Sequence, residues 1–63
     1  MKKYELWNDE DIVYDTDNVQ DFNVNIMVNY PLGGFISVYD LPDWTTIVFM
    51  NYKIIINKGI KEV

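Results

Sequence analysis

The stretch from Trp44 to Asn57 limits the architecture more than any other part of the chain. It is rich in residues that favour pleated strands: Thr45, Thr46, Ile47, Val48, Phe49, Tyr52, Ile54, Ile55 and Ile56. Drawn out as one strand, its fourteen residues would span roughly 46 Å at ~3.3 Å each. That exceeds the width of so small a domain, so the stretch has to bend or fold back, and Asn51 is the expected place, as a hairpin turn or a bulge. Lys58-Gly59 ends it, leaving Ile60 to Val63 as a short edge or a frayed tail.

Upstream, Phe22, Val24, Ile26, Val28 and Tyr30 alternate with Asn23, Asn25, Met27 and Asn29, three of the four asparagines. Period two with one wet face predicts a half-buried antiparallel strand over 22–30. Pro31-Leu32-Gly33-Gly34 would turn it into a return strand, Phe35 to Tyr39. Asp40-Leu41-Pro42-Asp43 reads as the next turn. At the start, Lys3 to Trp7 and Asp11 to Tyr14 read as short strands around an Asn8-Asp9-Glu10 turn. Asp15 to Asp21 suits a loop or one helical turn capped by Thr16 or Asp17. No stretch shows helical periodicity over the length a stable helix wants. The expected fold is therefore all-β: one domain, residues 1–63, forming a five- or six-stranded antiparallel, twisted sheet or a small barrel.

Such a domain is marginal. For 7.5 kDa, surface burial is worth on the order of 100 kcal/mol and chain ordering costs about 95. With no cysteine or histidine, neither a disulfide nor an ordinary zinc site helps. Pairing with itself, as a homodimer, or with a partner is a natural expectation. No cofactor is implied.

The same absences bear on chemistry. Arginine, histidine, cysteine and alanine are missing, and Ser37 is the only serine. Acid–base and nucleophilic machinery would have to come from carboxylates, lysines and tyrosines. A paired-carboxylate site needs a deep cleft that 63 residues rarely build. A non-enzymatic protein is expected. Tyr4-Glu5-Leu6-Trp7-Asn8-Asp9 breaks any signal-peptide core after Met1-Lys2-Lys3, and no apolar run reaches the ~18 residues of a membrane span. A cytoplasmic protein without membrane contact is the reading.

Acid is concentrated at one end. Within residues 1–21, Glu5, Asp9, Glu10, Asp11, Asp15, Asp17 and Asp21 outnumber Lys2 and Lys3, a net of −5, while residues 53–63 carry +2. A solvated surface is the plain reading of such a run. Calcium binding by Asp15-x-Asp17-x-x-x-Asp21 is the second, although Gln20 replaces the loop glycine and no bidentate glutamate follows.

The third reading is a surface that stands in for nucleic acid. In extended chain, residues two apart lie ~6.6 Å apart on one side, so Asp9 with Asp11 and Asp15 with Asp17 would present carboxylates in a row. Such a row approximates a phosphate backbone and would be steered into the basic groove of a nucleic-acid enzyme. In size and charge the chain is similar to the small acidic β-rich inhibitors of phages, anti-CRISPR and glycosylase-inhibitor proteins among them.

The function expected is an inhibitor of that type, a DNA mimic acting in a host cytoplasm, with Asp9, Glu10, Asp11, Asp15, Asp17 and Asp21 in contact and Trp7 as an apolar anchor. The alternative is an accessory module that self-associates or docks through a hydrophobic sheet face or strand edge. Direct nucleic-acid binding, with Tyr4, Trp7, Tyr14, Tyr30 and Tyr39 as stacking platforms, is disfavoured by five lysines and a pI near 4.2. Trp44 is expected in the core.

Overall fold

The computed structural model describes residues 1–63 and holds one five-stranded antiparallel sheet and one helix. The strands are β1 (Tyr4–Asn8), β2 (Asp11–Thr16), β3 (Phe35–Asp40), β4 (Trp44–Phe49) and β5 (Lys53–Asn57), with α1 (Val19–Asn29) between β2 and β3. Their order across the sheet is β2-β1-β5-β4-β3. The sheet is open, with β2 and β3 as its edges. Its surface of 4336 Å² is close to the roughly 4,200 Å² that scaling gives a compact chain of this mass.

The long β-rich stretch does fold back where expected. β4 stops at Phe49, β5 begins at Lys53, and the Phe49 amide donates to the Tyr52 carbonyl at 2.8 Å across the turn. Asn51 within that turn also clamps the 31–33 loop, accepting from the Gly33 amide at 2.5 Å and donating to the Pro31 carbonyl at 2.9 Å. A Cβ on Gly33 would sit 2.9 Å from Asn51 Oδ1 and 3.1 Å from Met50 Cβ, so any larger residue there would press on the Asn51 clamp. The first hairpin is likewise as read, with Asp9 at φ 55° in its turn.

The segment 22–30 departs from the expectation: it is helix, not strand. Phe22, Ile26 and Tyr30 belong to both periods, since a spacing of four returns to the same face in either geometry. Val24 and Val28, inward in the strand reading, are 59% and 73% exposed, while Val19 turns in toward the core. Asn18, rather than Thr16 or Asp17, caps the helix by accepting the Asp21 amide at 2.9 Å. Pro31 stops it, because the residue before proline is driven out of helical geometry. The expected hairpin between 22–30 and 35–39 is therefore absent. β3 pairs instead with β4, through the turn at 41–43.

The core lies between α1 and one face of the sheet. Leu6 is fully buried, with Tyr4, Phe22 and Ile54 beside it. Tyr4 and Tyr14 both stack on Phe22, at 5.5 and 6.2 Å between ring centroids. α1 lies against β2 and leaves the β4–β3 side of this face uncovered, where Val38 is half exposed. No helix is long and apolar enough to cross a membrane.

Candidate acidic interface at the β2 edge

β2 bonds to β1 alone, so its other side is a free edge. The hairpin turn sets exposed Asp9 and Glu10 at one end of this edge, with Asp11 as the first residue of β2. Asp9 has a positive φ, which short polar side chains tolerate. Asp15 follows four residues on, roughly 13 Å away at strand rise. It projects to the helix-free face, directly opposite Glu5 of β1. A bulge at Val13, where Leu6 faces Tyr14 and Trp7 faces Ile12, sharpens the local twist. Asp21, in the first turn of α1, stands by the Tyr14 hydroxyl; burial of Tyr14 and then the Asp21 charge raise the phenol's pKa above its usual value.

Asp17 is the exception in this set. Its carboxylate accepts the Lys3 amide at 2.8 Å and pairs with the Lys2 ammonium at 3.7 Å, and its carbonyl accepts the Val63 amide. It ties the two ends of the chain together instead of facing outward with the others. The only other ion pair, Lys58 with Asp40 at 2.6 Å, is at the far side of the sheet. Asp9, Glu10, Asp11, Asp15 and Asp21 consequently have no lysine partner.

Trp7 is half-buried on the helix-free face. Its indole donates to Glu5 Oε1 at 3.0 Å and Lys53 lies 5.3 Å from its ring, so the ring is held beside the acidic edge by two charged neighbours. Glu5, absent from the expected contact set, is buried here. Only the register that puts it opposite Asp15 marks it. Trp44 is not in the core: it is 39% exposed on the helix-free face, because its partner Asn57 turns to that side in the register of β4 and β5.

Two other arrangements are not assembled. Asp15, Asp17 and Asp21 do not converge as a cation site, since they lie on a strand face, in a chain-end clasp and on a helix. Tyr4, Tyr14 and Tyr30 are used in the aromatic stack around Phe22 rather than as an open platform. Tyr4 donates a short hydrogen bond to Glu62; that bond, then burial and the Glu62 charge, push its pKa up to about 12. The most apolar concavity, about 360 Å³ between α1 and the sheet, is lined by Phe22, Ile26, Leu32, Ile47 and Ile54, with Tyr4 the only titratable group. No family model, characterised protein or solved structure gives a significant match to this chain.

Proposed function

We propose that this chain is a non-enzymatic, protein-binding inhibitor of the phage type, whose acidic edge occupies the basic groove of a nucleic-acid-binding host enzyme in the cytoplasm. The observation that carries this reading is the gathering of five carboxylates without a lysine partner, Asp9, Glu10, Asp11, Asp15 and Asp21, around the β1–β2 hairpin and the first turn of α1, with Asp15 on the helix-free face and Asp21 on the helix side. Like charges also face each other at Glu5 and Asp15, an arrangement that costs stability. Retaining it is reasonable where the field itself is the working part. Trp7 lies inboard of the same edge as an apolar neighbour for the contact.

The test replaces Asp9, Asp11, Asp15 and Asp21 with asparagine, a residue that also tolerates the positive φ at position 9. Wild-type protein, immobilised in nuclease-treated host lysate, is expected to retain a nucleic-acid-binding enzyme that duplex DNA displaces. The folded variant is expected to lose it. Equal retention by the variant, or a retained protein that DNA does not displace, removes the mimic reading. A second reading, an accessory module docking through an apolar strand edge, draws on the exposed residues of β3.

A further inference from the structure

The two edges of the sheet differ in kind. β2 carries exposed Asp11 and Asp15, is bulged at Val13 and has α1 against it, and such devices keep an edge from pairing. β3 carries no charge from Phe35 to Tyr39, and Phe35, Ile36, Val38 and Tyr39 are 50–62% exposed. Its irregularity is confined to Ile36, near its start. Asp40, its one ionised residue, is neutralised by Lys58 at 2.6 Å and bonded by Thr45 at 2.9 Å.

We propose that a second copy of this chain pairs antiparallel with β3, joining two five-stranded sheets into one of ten strands. A two-fold axis through Val38 makes this contact self-complementary and sets Asp40 beside the partner's Ile36, so no like charges face one another. The net charge of −5 on each copy does not oppose it, because the acidic β2 edges end up at the two far margins. Each is four strand spacings from β3, so they are roughly 40 Å apart, against a Debye length of about 8 Å in physiological salt.

The side-chain area on offer is about half that of a standard interface, which sets the dimer at the weak end. A standard interface hides roughly 800 Å² per partner, under a fifth of the 4336 Å² surface. The four exposed β3 side chains have on the order of 400 Å² in reach of the contact, part of which the pairing covers, and Leu41 and the unpaired strand backbone add to it. Only four apolar residues are buried within one chain, so covering β3 is a substantial addition to its apolar burial.

Sedimentation equilibrium tests this on three proteins: wild type, Ile36→Lys with Tyr39→Lys on β3, and Asp11→Lys with Asp15→Lys on β2. Wild type and the β2 variant are expected at twice the 7.5 kDa chain mass, with the wild-type dimer holding or tightening as salt rises. The β3 variant is expected at the single mass with an unchanged circular dichroism spectrum. A wild-type protein that stays monomeric into the millimolar range overturns the proposal, as does a dimer dissolved by the β2 lysines and not by the β3 lysines. Should the β3 variant unfold, hydrogen exchange of the wild type decides. Outward β3 amides that slow with rising concentration support the pairing, and amides indifferent to concentration refute it.

Discussion

Asp15 faces Glu5 across the first hairpin with no cation between them, and a single substitution there separates what holds the fold from what the fold displays. Asp15→Asn relieves a cross-strand repulsion and is expected to raise stability by about 0.2–1 kcal/mol, read as a higher denaturant midpoint at unchanged slope. A drop would mean that the Asp15 charge has a stabilising partner. Tyr4 gives a second, pH-dependent signature. Its pKa is raised to about 12 by the Glu62 hydrogen bond, so the folded state favours the protonated phenol. That contribution is whole below the ordinary tyrosine value near 10 and is lost as pH climbs from there through 12. Stability should fall across this alkaline window in the wild type and fall less in Tyr4→Phe, while phenolate absorbance shows one tyrosine titrating late.

Among the elements, α1 has little intrinsic support, since valine, asparagine and phenylalanine are weak helix formers. Tertiary contacts of Val19, Phe22, Ile26 and Tyr30, with the Asn18 cap, decide its state. Lysine at the exposed positions Val24 or Val28 should therefore change stability by no more than about 0.5 kcal/mol. Ile26→Lys, at the face turned to the core, should cost several times as much. Equal sensitivity at 24 and 26 would point back to a two-residue period. The hairpins at 8–11 and 50–52 were legible because polar turn residues interrupt β-rich runs whose length leaves no alternative. The helix was not, since positions 22, 26 and 30 satisfy both periods and only neighbours distant in sequence break the tie.

At the scale of the whole molecule, the carboxylates without a lysine partner gather at the β1–β2 hairpin and α1, while the uncharged stretch of β3 forms the opposite edge of the sheet. The acidic end was readable because a hairpin keeps sequence neighbours close in space. The withdrawal of Asp17 was not, since its partners are Lys2, Lys3 and Val63, brought in by the sheet order. Strand order likewise decides that the uncharged segment 35–39 lies at an edge, which its composition does not specify. The most direct measurement of the acidic surface as a working surface is the affinity for the proposed DNA-displaceable partner across a salt series, because exposed charges are screened over about 8 Å at physiological ionic strength. The wild type should weaken steeply as salt rises, and the variant neutralised at Asp9, Asp11, Asp15 and Asp21 should bind weakly with little slope. Wild-type affinity that is flat or increases with salt would contradict an electrostatic role for this surface.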